Sequence, residues 1–163
     1  MVNPDKETIW QWLDSLPDPE IPVISIVELG MVRDVEVVGD NVVVTVTPTY
    51  TGCPAVKMIE DDIMKLLSGK GIAHPQVKSV NSPAWTTDWI TSEAKKKLMD
   101  YGITPPPVST EDKGALLDTP KEVRCPRCKS TNTLLKSQFG STPCKALYIC
   151  SDCLEPFDYF KCI

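Results

Sequence analysis

Four of the cysteines in this 163-residue chain have the spacing of a metal site. Cys125 with Cys128 and Cys150 with Cys153 form two CxxC pairs, and 21 residues (129–149) separate them. Each pair can fold into a knuckle that presents two thiolates to one ion, and four thiolates suit tetrahedral zinc. Iron also accepts four sulfur ligands, so the spacing predicts a metal site without choosing the metal.

A separate cysteine, Cys53, lies in a short loop between a predicted strand and a predicted helix. Pro54 suits the first turn of that helix, because its missing N–H costs nothing there. The free N–H groups and the dipole at a helix start favour a thiolate over a thiol. Cys53 is therefore a candidate nucleophile or soft-metal ligand, which requires an exposed sulfur. The alternative is a half-buried residue that packs the corner between strand and helix.

Two carboxylates, Asp18 and Glu20, stand on a stiff segment that has three prolines within residues 17–22. One interpretation is that they orient a proton or a metal near Cys53. The other is an ordinary turn, in which Asp18 hydrogen-bonds its own backbone.

Two further cysteines, Cys144 and Cys162, fall near the ends of predicted strands. They are open to three interpretations: buried bystanders, additional metal ligands, or thiols that handle a transient metal. The single histidine, His74, precedes a weak predicted strand and is interpreted as a loop residue.

The elements that must position these residues predict a small α+β domain. Residues 31–38 and 42–46 alternate in polarity around a Gly-Asp-Asn turn, which predicts an antiparallel hairpin. A helix precedes the proline-rich segment, an amphipathic helix follows Cys53, a weaker strand covers 76–82, and a last helix ends at Gly102. The predicted order is α-β-β-α-β-α.

The carboxy-terminal residues are too few to bury a large core, so the predicted metal site must hold them together. Strands predicted at 133–139, 145–149 and 157–161 complete a zinc-ribbon-like β module. The residues before this module are rich in proline and polar side chains, which predicts a linker. The predicted domains are 4–103, the linker 104–122, and 123–163.

Composition limits the classes of partner. A net charge of −5 and a pI of about 4.9 give no electrostatic support for a nucleic-acid partner. No apolar run approaches the roughly 20 residues that cross a bilayer, and the N-terminus has no signal-peptide pattern. Together these features predict a cytoplasmic protein without a membrane partner. In a reducing compartment, the clustered cysteines indicate a metal site before disulfides.

Short motifs in the first hundred residues resemble the MIP18 (DUF59) family of iron–sulfur assembly factors. They are Asp18-Pro19-Glu20 with Pro22, Leu29-Gly30, residues 49–54 (TYTGCP) and Trp85. The resemblance implies a small α+β fold that helps to install iron–sulfur clusters or other metal centres in client proteins. It implies that Cys53 is the reactive position and that Asp18 and Glu20 are the acidic motif. Thr51, in the same loop motif as Cys53, joins this candidate transfer site.

The cysteine module carries more specific motifs, at residues 139–142, 144–148 and 157–162. Together with the first domain they resemble the family of D subunits of phenylacetyl-CoA epoxidase systems, which serve aerobic phenylacetate degradation. The resemblance implies partners: a diiron oxygenase, and a reductase that carries an iron–sulfur cluster and flavin. It also implies that this component is not the catalyst and that its client is the reductase cluster or the diiron centre.

The leading hypothesis is a maturation factor in which Cys53 holds iron or a cluster transiently. One sulfur cannot hold a cluster tightly, so a second copy in a homodimer or a client thiol would complete the site. The alternative is a non-catalytic structural or electron-transfer component of the epoxidase complex, in which the cysteine module is a docking element or a rubredoxin-like iron site. An enzyme is disfavoured, because the sequence has no Ser–His–Asp arrangement, no HExxH and no phosphate-binding glycine loop.

Overall fold

The computed structural model describes residues 4–106 and 122–161, and packing divides the chain after Trp85. The first unit contains α1 (Lys6–Leu13), β1 (Val32–Val38), β2 (Asn41–Val46), α2 (Ala55–Gly69) and β3 (His74–Ser79). The second unit contains a 3-10 turn (Thr87–Trp89), α3 (Ser92–Tyr101), β4 (Ile103–Thr104), β5 (Thr133–Ser137), β6 (Lys145–Cys150) and β7 (Pro156–Phe160).

The sheet of the first unit has the order β1-β2-β3, with β1 antiparallel and β3 parallel to β2. Val42, Val44 and Val46 are buried at alternate positions of β2, and burying each valine contributes about 1.5–3 kcal/mol. The hairpin turns at Gly39, whose φ of 58° glycine adopts without strain. The predicted hairpin and the order of elements are therefore confirmed.

Two amphipathic helices cover this sheet, with α1 against β1 and α2 against β3. The side chain of Asp5 begins α1 by accepting a hydrogen bond from the N–H of Thr8 at 2.8 Å. α2 turns Ile59, Ile63 and Leu67 inward at helical spacing. Among the described residues, none of the helices combines the length and apolarity needed to span a membrane.

The second unit is built on a four-stranded sheet in the order β4-β7-β6-β5. β6 pairs antiparallel with both β5 and β7, which confirms the three strands predicted for the ribbon, with ends shifted by one or two residues. α3 begins at Thr91, whose hydroxyl accepts a hydrogen bond from the N–H of Ala94, and it ends at Gly102 with a φ of 98°.

The division after Trp85 differs from the domain boundary expected at residue 103. The reason is β4, which pairs in parallel with β7 and so joins α3 to the second sheet. The hydroxyl of Thr104, the first residue of the predicted linker, donates to the carbonyl of Arg124, just beyond the end of that linker, at 2.6 Å. Residue 104 is thus part of a strand, while residues 107–121 of the linker lie outside the described residues.

The core of the second unit is small. Tyr148 packs between two aromatic rings, with ring centroids 5.9 Å from Phe157 and 5.7 Å from Tyr159. The buried cluster consists of Val123, Cys125, Ala146, Tyr148, Cys150, Phe157 and Tyr159. Because two members of this cluster are predicted metal ligands, the core and the metal site are continuous.

Candidate functional site

The four cysteines of the ribbon converge as the sequence predicts. The sulfur atoms of Cys125, Cys128, Cys150 and Cys153 all lie within 4.8 Å of one another. The Cys125 and Cys153 sulfurs are 3.7 Å apart, and the Cys128 and Cys150 sulfurs are 3.5 Å apart. Zinc–sulfur bonds of about 2.3 Å in a tetrahedron place the sulfurs about 3.8 Å apart. The donor set and its spacing therefore fit one tetrahedral metal ion.

The two knuckles have the same backbone geometry, with equivalent residues 25 apart in number (150 − 125). In each, the N–H of the first cysteine donates to the carbonyl of the fifth residue after it, at 2.8 and 2.9 Å. The N–H of the fourth residue after it donates back to the carbonyl of the first cysteine, at 3.0 Å in both. Lys129 and Leu154 occupy that fourth position with φ of 65° and 61°. This repetition presents the two sulfur pairs symmetrically to one ion.

The thiols of Cys150 and Cys128 differ in pKa. The N–H groups of Cys153 and Asp152 hydrogen-bond the sulfur of Cys150 and lower the pKa of its thiol to about 7. The N–H of Ser130 lowers the pKa of Cys128, but desolvation and the other three sulfurs outweigh it and raise that pKa to about 12. Binding a divalent metal to this cluster therefore releases protons.

Cys53 lies where the sequence predicts, two residues before the first residue of α2, but it is buried. Only 9% of its surface is exposed, although Thr51 and Gly52 on its amino-terminal side and Pro54 after it are exposed. Its N–H donates to the carbonyl of Tyr50 at 3.3 Å, which turns the loop. The expectation of an exposed sulfur is thus not met.

The start of α2 leaves its first N–H groups without a side-chain cap. Pro54 is the N-cap residue and makes no side-chain hydrogen bond, and the first turn contains no acidic side chain. The positive end of the helix dipole is therefore not neutralised by an acidic residue of its own first turn. This is the electrostatic setting that the sequence predicts around Cys53.

The carboxylate of Asp18 makes hydrogen bonds within its own turn. Its Oδ1 accepts hydrogen bonds from the N–H groups of Glu20 at 2.9 Å and Ile21 at 2.8 Å, and the residue is buried with 5% exposure. This is the Asx-type turn that was the alternative interpretation. In the described ranges, the four ribbon cysteines are the only group of three or more His, Cys, Asp or Glu side chains placed to share one metal ion. Cys53 with Asp18 and Glu20 therefore does not form a second such group.

Gly52 controls the backbone beside Cys53, and we predict that glycine-to-alanine changes at two sites have opposite effects. Gly52 has a φ of 83°, so alanine there should destabilise the first unit by about 1–2 kcal/mol. Gly69 is the last residue of α2 and has open space where a Cβ would lie, so alanine there should stabilise the unit by up to about 1 kcal/mol. Urea unfolding followed by circular dichroism measures both, and stabilisation by both changes would contradict the left-handed conformation of residue 52.

Cys144 is buried, with 3% of its surface exposed, and its sulfur lies 3.0 Å from the hydroxyl of Thr142. It does not belong to the four-sulfur group, so its role as an additional ligand stays a prediction. Cys162 lies outside the described residues.

Sequence reasoning did not find the side chains that join the two knuckles. Arg127 Nη1 donates to Glu155 Oε2 at 2.6 Å, and Asp152 accepts hydrogen bonds from Ser130 and Asn132. Arg127 and Asp152 are the third residues of their CxxC motifs. A comparison of equivalent positions in the two motifs would have drawn attention to them.

Comparisons with known proteins match two different families to two separate parts of the chain. The family described as "Iron-sulfur cluster assembly protein" matches residues 6–81, and the family described as "PaaD zinc beta ribbon domain" matches residues 109–161. An Escherichia coli protein, named as the D subunit of a "Putative 1,2-phenylacetyl-CoA epoxidase", is 49% identical over 163 residues, covering 100% of this chain and 96% of the relative.

Shorter relatives match the first part of the chain. Two proteins named Fe-S protein maturation auxiliary factor, from Porphyromonas gingivalis and Bacillus subtilis, are each 37% identical over 95 residues. These matches cover 57% of this chain and 90% and 92% of the relatives.

Two solved structures resemble this chain. A DUF59 domain from Bacillus anthracis has a TM-score of 0.54 and 32% identity, over 57% of this chain and 90% of that one. A conserved hypothetical protein from Thermotoga maritima has a TM-score of 0.52 and 28% identity, over 60% of this chain and 98% of that one.

Proposed function

This chain belongs to the family of the D subunits of phenylacetyl-CoA epoxidase systems, and from that membership we propose that it is a maturation factor for the epoxidase. It helps to assemble or deliver an iron–sulfur cluster or an iron centre, and it does not itself catalyse the epoxidation. Its action is cytoplasmic, where the reductase and the diiron oxygenase of such a system are the clients.

The main support for the proposal is the 95-residue match between the first part of the chain and two iron–sulfur maturation factors. Nearly the whole length of two proteins named as Fe-S maturation auxiliary factors, 90% and 92%, aligns with this part of the chain. An iron–sulfur assembly domain is thus combined here with a ribbon found in epoxidase D subunits. That combination supports assembly work directed at an epoxidase component.

Cys53 is the proposed transfer ligand, and Thr51 lies two residues before it in the same loop. Asp18 and Glu20 are the proposed acidic residues of this site. The start of α2 beside it has no side-chain cap and no acidic residue in its first turn. Because Cys53 is buried, the sulfur must turn outward before it can meet a client, and exposed Gly52 is the residue at which the loop can change conformation.

Cys53 alone should bind a cluster weakly, because it supplies a single ligand. Cys53 offers one sulfur, and in the described part of the chain it has no grouped His, Cys, Asp or Glu ligands around it. A cluster held there needs further thiolates, from a second copy of the chain or from the client. An incomplete ligand set suits handover, because the client's own cysteines then supply the larger share of the binding.

We predict that Cys53→Ser lowers cluster transfer to the apo-reductase at least about tenfold, since serine cannot replace a thiolate ligand for iron. The chain is loaded with iron and sulfide without air, mixed with apo-reductase, and the client's cluster is followed by electron paramagnetic resonance. Cys144→Ser, which removes another buried thiol, is the matched control and should transfer like wild type. Equal transfer by wild type and Cys53→Ser would refute the assignment of Cys53.

A structural role in the epoxidase complex is the second candidate, and it is favoured by identity to a named epoxidase component over the entire chain. In that case the ribbon docks on the oxygenase or the reductase. Stable, stoichiometric co-purification with the assembled epoxidase, together with unimpaired client metal content when the chain is absent, would favour this role. A red, iron-loaded ribbon would favour its electron-transfer version.

A further inference from the structure

The two knuckles of the ribbon are joined by side chains at equivalent positions. Arg127, two residues after Cys125, contacts Glu155, and Asp152, two residues after Cys150, contacts Ser130. With the shift of 25 residues between the knuckles, Ser130 is equivalent to Glu155. We call these the Arg127–Glu155 contact and the Asp152 contact. Each one runs from the middle of one CxxC motif to the residue that closes the other knuckle.

The closing residues also hold the sulfur ligands. The N–H of Ser130 hydrogen-bonds the sulfur of Cys128, and the N–H of Glu155 hydrogen-bonds the sulfur of Cys153. Each side-chain contact therefore fixes a backbone group that orients a sulfur in the same knuckle. The Asp152 contact includes a second bond, because Asn132 Nδ2 donates to Asp152 Oδ1 at 2.8 Å, and the N–H of Ser151 donates to the Asn132 carbonyl at 2.8 Å.

We propose that Asp152 and the Arg127–Glu155 pair are positioning residues that keep the two knuckles closed on the metal, so that the ribbon retains its ion. The ribbon metal is then a resident ion and not cargo for a client. This proposal is independent of Cys53, because it concerns ion retention in the second unit alone.

The geometry of these contacts indicates that they should affect retention of the metal ion more than folding of the second unit. The ion bridges the knuckles, and it can leave after one knuckle moves away from the other. Both side-chain contacts resist that separation, since each bonds one knuckle directly to the other. The Arg127 and Glu155 side chains are 67% and 40% exposed, and exposed ion pairs contribute little to folding stability. Residues that orient metal ligands nonetheless change metal affinity by roughly 10–100-fold.

The test measures the rate at which the full-length, zinc-loaded protein gives its metal to the chromogenic chelator 4-(2-pyridylazo)resorcinol. We expect Asp152→Ala and Arg127→Ala each to release zinc about tenfold faster than wild type, by the usual size of such effects. Combining the two should accelerate release further. Lys136→Ala, an exposed substitution on β5 of the same sheet, is the control and should release zinc like wild type.

Two further variants separate positioning from a loss of folding. Arg127→Glu combined with Glu155→Arg rebuilds the ion pair in reverse and should return the release rate to within about threefold of wild type, since the contact is restored. Cobalt-substituted Asp152→Asn, which keeps one acceptor oxygen, should retain a tetrahedral thiolate spectrum with release between wild type and Asp152→Ala. Release at the wild-type rate by Asp152→Ala, Arg127→Ala and their combination would overturn the proposal, as would failure of the reversed pair to slow release in a protein with the wild-type cobalt spectrum.

Discussion

Removal of the metal from the four-cysteine site is expected to unfold the sheet of the second unit. Cys125 and Cys150 are fully buried members of its small core, so the metal that they bind would link this core to both knuckles. A structural zinc ion in a four-ligand site contributes on the order of 10 kcal/mol to folding, which exceeds what so small a core supplies. Cys150→Ser should have the same effect, because it removes one ligand from the tetrahedron.

The measurement compares wild type, before and after chelation of the metal, with Cys150→Ser. Circular dichroism and amide NMR spectra are recorded for each. Cys144→Ser is the matched control, because Cys144 is also buried in the second unit but is outside the sulfur group. We expect dispersed signals of β5, β6 and β7 to disappear in the chelated protein and in Cys150→Ser, and to persist in the control. A chelated protein with an intact β6–β7 pairing would contradict a structural role for the metal.

Trp85→Ala is expected to destabilise the first unit by about 3–5 kcal/mol, the usual cost of removing a large buried aromatic side chain. Trp85 is 5% exposed, and its indole N–H donates to the carbonyl of Leu29 at 3.0 Å. The residue thus ties the chain after β3 to the turn before β1, across 56 positions of sequence. Both of these positions are among those that resemble the MIP18 family.

Trp85→Phe separates the two contributions of this side chain. Phenylalanine keeps most of the apolar contact but cannot donate to Leu29, so we expect a cost nearer to 1–3 kcal/mol, roughly that of a buried carbonyl left without its donor. Urea unfolding of the first unit measures both variants. Equal stability of Trp85→Ala and wild type would show that this residue does not hold the unit together.

The proposed transfer through Cys53 depends on the conformation of its loop. A buried sulfur reacts slowly, and the geometry of its loop depends on Gly52, whose φ of 83° few other residues accept. Substitutions that stiffen or distort this loop should therefore change transfer rates without removing a ligand. The four-cysteine ribbon, in contrast, is held by contacts on both knuckles and is suited to keep its ion.

Local patterns determined much of what the sequence revealed. The alternation of Val42, Val44 and Val46 fixed a strand, because strand side chains point to opposite faces at every step. The two CxxC motifs determined the metal cluster, since each motif brings two sulfurs together through its own backbone turn. Gly102 marked the end of α3 for an equally local reason, the left-handed backbone at a helix end.

Other features depend on contacts between distant residues, which no local pattern encodes. The sequence placed Cys53 at the start of a helix, but only the tertiary structure decided that its side chain is buried. The units divide after Trp85, not at the expected residue 103, because the two-residue strand β4 pairs with the edge of β7. A strand of two residues is too short to show periodicity in the sequence. The Arg127–Glu155 contact spans 28 positions, so charge and spacing along the chain could not reveal it. The sequence by itself determined the longer elements and the metal ligands, because these follow from neighbouring residues. The tertiary structure decided exposure and pairing, because these depend on which distant surfaces meet.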